Sequence, residues 1–419
     1  MANEILEGIR VLDMTVYQLG PLNTMMLAAM GAEVIKIEPP SGEMSRSNAR
    51  GRVLSGGEGK GSGGLDLSAY FEYLNRCKKS IVLDLSKLEA REMLYQLVAK
   101  SDVFAQNIRP GAAEKLGCGY ETLKKYNPNL IYYTGSSYGT KGPDRLKPGM
   151  DMSGAARAGF MHMTHSKPGE PGRVTGVCDQ MGGIIGAFTI VGALLARERF
   201  GGGQFCETSH TTATMWLLGT AIQAGYYMGR SPGYDVPREE CLLPTHNYYK
   251  CGDGEWIAIV CSNPRHWGPI CQALDIPDSV RDDPRFITDI ARGDHARETV
   301  ALLDEYFAKK PREEWVKAFE GKDINWERIQ RWTDLAADPT IIANEYMSDY
   351  THPLNGVTYK YLNLPMQLSE TPILRHGRAP LLGEHTEEIL VNILGYKKED
   401  VPKLLDEIGR PNPTPPSGT

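Results

Sequence analysis

Apolar and polar positions follow two alternating periods over the first 140 residues. "IRVLDM" (9–14) and "AEVIKIE" (32–38) are short β-branched runs. Between them "GPLNTMMLAAMG" (20–31) carries Leu, Met and Ala, which favour a helix, and ends on Gly31 as a stop. Strand, helix and strand in that order predict a βαβ unit with a right-handed crossover, hence a parallel sheet. The alternation continues with a strand at "SIVLDL" (80–85) and a helix over 87–100 entered through the capping box Ser86-x-x-Glu89. A strand at "DVFAQN" (102–107), a helical stretch from Ala112 to Tyr126 and a strand at "LIYYTG" (130–135) follow. The sum is a doubly wound α/β domain.

Further along, one acid stands at the mouth of an apolar run. After Asp179 the chain carries no charge until Arg197. A carboxylate capping the first turn of a buried helix accounts for this on residue types alone, and a catalytic carboxylate is the alternative. The run Gly182 to Ala196 is shorter than the ~20 residues of a bilayer span, and "MANEILEGIR" has no basic segment followed by an apolar core. A soluble, cytoplasmic protein is therefore expected. Residues 225–245 are rich in Gly, Pro and charge and read as a linker. "YYKCGDGEWIAIV" (248–260) predicts a hairpin turning at Gly252-Asp253-Gly254, and helical stretches at 265–274, 295–309 and 312–320 complete a smaller α+β domain. The tail has a strand signal in "GVTYKYLNL" and a helix opened by His385 or Thr386, and it closes on "PNPTPPSGT", which predicts disorder.

Charge and composition narrow the chemistry. A net charge of −6 sets up no global field for nucleic acid or acidic membrane, so small molecules are the expected partners. The eight cysteines contain no C-x-x-C pair, which favours thiols over disulfides or zinc, and His162-x-x-His165 lacks further ligands at metal spacing. No metal site is expected. After the first strand "TVYQLGP" stands where a dinucleotide site needs G-x-G-x-x-G. "GGEGKGSGG" (56–64) has Gly61 where a phosphate loop needs Ser or Thr, so it reads as a flexible loop of the kind that serves as a lid. No permanently bound cofactor is expected.

Several separated stretches then match one family. They are "GIRVLDMT", "MGAEVIKIEPPSGEMSR" (30–46), "NRCKKSIVLDL" (75–85), "NIRPGAAEKLG" (107–117) and Asp179 before a glycine-bearing helix. "GGGQFCETS" (201–209), "DDPRF" (282–286) and "APLLGEHTEEIL" (379–390) complete the set. In consistent order from near residue 5 to near 395, it resembles the class III CoA-transferases, typified by formyl-CoA transferase. The resemblance implies an α/β fold: a Rossmann-like parallel-sheet large domain and a small α+β domain, in two subunits interlocked like linked rings. The large domain would comprise residues 1–225 and a return segment at 336–419, with the linker and small domain at 226–335. It implies a coenzyme A thioester as substrate and a homodimer, or a heteromer with a paralogous chain.

By the same resemblance Asp179 matches the family's nucleophile, and Gln18 and Asp151 match residues beside the reacting centre. Gln18 could equally cap the helix after Gly20. Val16, Tyr17, Leu83, Asn107, Ile108, Lys115 and Leu116 would line the CoA site, with Arg46 as a phosphate ligand. Gly182, Gly183 and Gly186 would let backbone approach a ligand closely. Two departures stand out: Pro39 and Val16 replace an arginine and a histidine of formyl-CoA transferase. A third is that its glycine-rich lid is not recognisable over 230–248, so the 56–64 loop or "RSPGYDVPREE" would exclude water. Related racemases share the aspartate but need a His–Asp pair upstream, and here that position is Met150-Asp151. A thioether has no exchangeable proton, so CoA transfer is favoured over racemisation of an α-methylacyl-CoA. A third reading is a subunit of a heteromeric enzyme, as in relatives acting on benzylsuccinate. The acyl pocket would come from 154–173 and 223–235. Arg157, Arg173 or Arg230 could hold a second carboxylate, which suits succinyl-CoA as donor and a benzylsuccinate-like aromatic acid as acceptor.

Overall fold

The computed structural model describes residues 4–46, 68–164, 170–229, 236–354, 356–371, 373 and 377–412. The chain forms two compact units. One comprises Met1–Met161, Arg173–Gly219 and Ile342–Thr419, the other His162–Gly172 and Thr220–Ile341. The assignment of 162–172 to the second unit is not foreshadowed by the sequence pattern.

The first unit is built on β1 (Arg10–Met14), β2 (Glu33–Glu38), β3 (Lys79–Val82), β4 (Val103–Gln106), β5 (Ile131–Ser136) and β6 (Gln204–Ser209). They form one sheet in the order β3-β2-β1-β4-β5-β6, and every neighbouring pair is parallel. The order reverses between β1 and β4, the place at which open α/β sheets generally put their ligands, at the carboxyl edge. The unit's principal helices are α1 (Leu19–Ala29), α2 (Ala69–Asn75), α3 (Leu88–Val98), α4 (Asp151–Arg157), α5 (Val177–Phe200) and α6 (His210–Leu217). Both faces of the sheet are covered, which is why β1 to β5 are buried along most of their length. Leu12, Ile81 and Phe104 pack with α3 on one face; Val11, Val34, Ala105 and Tyr133 pack with α1 and α5 on the other.

The end of the chain belongs to this core. Ile389, Leu390, Val401 and Ile408 pack beside α3, and the backbone of the return segment is tied to β3 and its flanks. His385 N–H donates to Ser80 C=O at 3.0 Å and Asp84 N–H to Ile408 C=O at 2.7 Å. A hairpin of β10 (Met347–Thr351) and β11 (Thr358–Leu362) precedes the return.

The glycines of α5 serve packing, which corrects the reading that they admit a ligand. A Cβ on Gly182 would lie 2.6 Å from Leu19 Cδ1, one on Gly183 2.7 Å from Leu22 Cδ2, and one on Gly186 2.6 Å from the Tyr133 hydroxyl. The helix is 24 residues long, beyond the charge-free run itself, and by length and composition it could cross a membrane. Here that glycine face is buried against α1. Gly183→Ala is expected to destabilise the fold by about 1–2 kcal/mol, because the overpacking cost exceeds what alanine returns in helix propensity. Denaturant unfolding measures it, and a neutral or stabilising result would mean that the two helices separate freely.

A buried charge network underlies the loop after β1. Asp13, at the end of the strand, accepts the Thr15 N–H (2.9 Å), the Thr24 hydroxyl (2.9 Å) and Lys78 Nζ (2.8 Å). Lys36 Nζ donates to Thr15 C=O at 2.8 Å and lies 3.2 Å from Glu43. Asp13, Lys36, Lys78 and Glu43 are all buried. Burial drives the Asp13 carboxyl upward, but Lys78 and then Lys36 outweigh it and hold it at about 2.

Two local expectations fail for identifiable reasons. No capping box opens α3: Lys87 is its N-cap, and the Ser86 hydroxyl turns back to Asp84 at 2.6 Å. The stretch 112–126 is two short turns, Ala112–Lys115 and Tyr120–Leu123, interrupted where Gly117 takes φ +75.

The second unit has a three-stranded antiparallel sheet of β7 (His246–Lys250), β8 (Trp256–Val260) and β9 (Trp326–Arg328), with the β7–β8 turn made by Gly254 at φ +86. It is packed by α7 (Trp267–Ala273), α8 (Ala296–Phe307) and α9 (Arg312–Phe319) around Tyr249, Ile257, Trp267, Phe307 and Trp315. A helix from Gly219 to Met228 runs into the start of the stretch expected as a linker at 225–245. The 56–64 loop, Arg230, residues 231–235, His165 and the tail from 413 lie outside the described residues. All eight cysteines are free thiols.

Candidate active site

The site is assembled around the first turn of α5. Its N-cap is Gly176, at φ +80, a conformation glycine adopts without the penalty of a Cβ. No neighbouring side chain in sequence caps this turn; the cap comes from α4. The Asp151 carboxylate accepts the Gly176 N–H at 2.7 Å with one oxygen and the Asp179 N–H at 2.8 Å with the other. Asp179 is thus not the capping residue expected from residue types. It is the third residue of the helix, and because Asp151 satisfies its N–H, its own carboxylate is left for other work. Placed there it also lies in the favourable field of the helix's free N–H groups.

That carboxylate has one strong partner. Asp179 Oδ1 is 2.8 Å from His210 Nε2, with the two side chains 18% and 10% exposed. His210 is the first residue of α6, directly after β6, so the parallel sheet delivers it to the same edge as the loops after β1 and β4. Its Nδ1 is 3.3 Å from the Ser137 hydroxyl, just beyond β5. An ionised carboxylate can only accept, so Nε2 carries the hydrogen, and in the neutral ring Nδ1 accepts from Ser137. Gly154 of α4 makes room for this histidine: a Cβ there would lie 2.4 Å from His210 Cβ.

Gln18 joins the group from the other side. It precedes α1 but makes no side-chain cap to it. Instead its Nε2 donates to Gly176 C=O and to Gln180 Oε1, both at 3.2 Å, and its carbonyl accepts from Tyr70 at 3.4 Å. The structure therefore brings Gln18, Asp151 and Asp179 together at one helix terminus. It adds His210, which sequence reasoning missed: the family-like stretch ends at Ser209, one residue short. The available signal was position, since a residue just past the carboxyl end of a parallel strand faces the ligand edge.

The positions matched to a CoA site are more dispersed. Asn107 clamps the loop after β1, accepting the Val16 N–H at 2.7 Å and donating to Val16 C=O at 2.9 Å. Tyr17 then takes φ +62, uncommon outside glycine, and its hydroxyl reaches Met44 Sδ at 3.1 Å. Ile108 borders a cavity of about 340 Å³ shared with Arg109, Tyr120, Tyr132, Arg145 and Phe205. Lys115 is exposed, Leu116 is half-buried against the core and Leu83 is fully within it.

Arg46 departs from expectation. Its Nε and Nη2 grip the two oxygens of buried Glu38 at 2.6 and 2.7 Å, Nη1 donates to Pro380 C=O at 2.9 Å, and the guanidinium lies over the Phe71 ring. Its fork is committed within the fold and is not free for a phosphate. Despite burial, which pushes the Glu38 carboxyl up, this grip holds it below the usual range. Of the arginines expected near an acyl pocket, Arg157 is paired with Asp144 at 2.5 Å and Arg173 is exposed.

Residues 6–386 match the family described as CoA-transferase family III. The chain belongs to this family. It is similar to a succinyl-CoA:mesaconate CoA-transferase of Haloarcula hispanica, at 33% identity over 92% of this chain and 95% of that protein. It is also similar to a succinyl-CoA:glutarate CoA-transferase of Mus musculus, at 30% identity over 96% and 89% of the two chains. Among solved structures it resembles a CAIB/BAIF family protein from Brucella suis, with a TM-score of 0.80 and 27% identity over 93% of this chain and 100% of the other. The protein is a CoA-transferase.

Proposed function

We propose that this CoA-transferase moves CoA from an acyl-CoA to a free carboxylic acid through covalent intermediates on Asp179. The observation that carries the reading is the state of that carboxylate: part-exposed at a helix N-terminus, with Oδ1 held by His210 and its N–H held by Asp151. The free oxygen, Oδ2, attacks the thioester carbonyl, and CoA leaves as thiolate from a mixed anhydride. The thiolate then attacks the aspartyl carbonyl and expels the donor acid, giving an aspartyl-CoA thioester. The acceptor acid reverses both steps, first displacing CoA as a second anhydride and then receiving it at its own carbonyl. Gln18 and Asp151 act by holding the first turn of α5. CoA would lie at the carboxyl edge of the sheet, over the loops after β1 and β4, along Val16, Tyr17, Asn107 and Ile108 and toward Lys115, Leu116 and the backbone of Leu83.

Succinyl-CoA is the favoured donor and a dicarboxylic acid, benzylsuccinate-like acids included, the favoured acceptor. Support comes from two relatives named for succinyl-CoA and a second diacid. Exposed Arg173 is a candidate for the distal carboxylate. Phe188 (79% exposed) and Trp216 (76%) lie bare on α5 and α6, apolar surface that a second subunit, identical or paralogous, would cover in an interlocked dimer.

His210 does supply the histidine that Met150 denies a racemase, but its geometry opposes racemisation. Two-base exchange needs the α-carbon between the bases, and a 2.8 Å contact leaves no space for it. Incubating the purified chain with succinyl-CoA and a panel of free acids, and measuring the new acyl-CoAs by mass spectrometry, tests the reading. Transfer to dicarboxylic acids is expected to exceed that to monocarboxylic acids of similar size by about tenfold or more in kcat/KM. Transfer to monocarboxylic acids alone would refute the substrate class. Exchange of an α-proton in heavy water without transfer would refute the reaction.

A further inference from the structure

We propose that His210 is the oxyanion donor for those steps in which Asp179 is itself the electrophile. The inference rests on the covalent reading above and deepens it. In the resting site the His210 Nε2–H is bonded to Asp179 Oδ1 at 2.8 Å, which leaves Oδ2 to attack the acyl-CoA. Once Oδ2 is the bridging oxygen of the anhydride, Oδ1 becomes the carbonyl oxygen of an activated acyl group, still facing the same N–H.

The thiolate of CoA then adds to the Asp179 carboxyl carbon. A C–S bond forms and the electron pair of the carbonyl moves onto Oδ1, where a donor is already in place. Collapse breaks the bond to Oδ2, and the donor acid leaves as a carboxylate. One anion enters and one leaves, so no proton is transferred, and a neutral imidazole that only donates meets the need. The acceptor acid's attack on the aspartyl-CoA thioester repeats the demand at the same oxygen. Preorganised donors of this kind are worth more than hydrogen bonds to a resting group, because they strengthen as charge develops.

The surroundings fit a fixed donor. The Asp179 carboxylate fixes the tautomer, the Ser137 hydroxyl meets Nδ1 at 3.3 Å, Gly154 admits the ring, and the side chain is only 10% exposed. In the first step the oxyanion forms on the substrate's carbonyl, away from Oδ1, so His210 has no such part there. That difference separates this role from one of packing.

The test compares His210→Ala with His210→Gln, whose side-chain amide can place an N–H near the position of Nε2. His210→Ala is expected to lower kcat by about 10²–10³-fold with KM for acyl-CoA changed by less than about threefold, and His210→Gln to recover at least about tenfold of the loss. Rapid-quench trapping with acyl-CoA alone should show the Asp179 thioester forming more slowly by a factor similar to the kcat loss, while hydrolysis of acyl-CoA rises relative to transfer. A His210→Ala enzyme with unchanged kcat would overturn the proposal. So would a glutamine variant no better than alanine with both equally destabilised to heat, which marks a packing role. Asp179→Asn run in parallel separates the two levels: if it stays active the covalent reading fails, whereas an inactive Asp179→Asn beside normal His210 variants sinks only this inference.

Discussion

Asp179→Asn is expected to lower kcat by at least about 10⁴-fold while leaving the affinity for free CoA within about threefold. Asparagine keeps the shape of the side chain, and its carbonyl can still accept from His210. The contact with Asp151 is made by the backbone N–H and survives the substitution. What is lost is the anionic oxygen that forms the anhydride, so the defect should fall on chemistry and spare binding. Steady-state kinetics with calorimetric titration of CoA separates the two. Activity within tenfold of the parent would place the nucleophile elsewhere.

Lys78→Met should be the most destabilising of the single changes considered. Lys78 donates to Asp13, Asn75 and the Pro21 carbonyl, all within 3.0 Å and all buried. Removing it strands a carboxylate beside Lys36 alone, a loss of about 3–5 kcal/mol and roughly 10 °C in melting temperature. Asp13→Leu combined with Lys78→Met should recover part of it, because both charges are then gone.

The wild-type pair carries a pH signature. Asp13 at about 2, against an ordinary 3.8, contributes about 2 kcal/mol that is present above pH 4 and lost as pH falls toward 2. Burial, helped by Lys36, lowers Lys78 to about 8 against the attraction of Asp13. The unfolded chain then binds more protons between pH 8 and 10.5, so stability should rise with pH in that window. The rise, about 3 kcal/mol at most, should vanish in Lys78→Met. Melting curves from pH 2 to 11 measure both; a flat profile below pH 4 would contradict the role given to Asp13. The pair is thus close to break-even, and its use is positional: the same network holds the Thr15 carbonyl, and so the loop leading to Gln18.

Local pattern carried the sheet well. The β-branched runs near 10, 33, 80, 103 and 131 became parallel strands because hydrophobic periodicity is a short-range signal. What failed depended on distance. Asp179 was legible as a lone acid before an apolar helix, but its capping partner lies 28 residues away in Asp151, and its hydrogen-bond partner 31 residues on in His210. Neither neighbourhood carries a signature of the pairing. Arg46 looked like a free cation because its partner Glu38 belongs to the strand before it, and only the fold shows Glu38 buried. The α5 glycines pointed to a ligand, yet close packing against Leu19 and Leu22 imposes the same requirement.

The central claim is a covalent bond to one carboxylate, and trapping tests it most directly. The wild-type chain would be incubated with succinyl-CoA, reduced with borohydride, digested and mapped by mass spectrometry. Reduction of the Asp179 side chain to the alcohol, dependent on acyl-CoA and absent in Asp179→Asn, is the expected result. An unmodified Asp179 in an enzyme that turns over the same succinyl-CoA, or modification at another residue, would contradict the account.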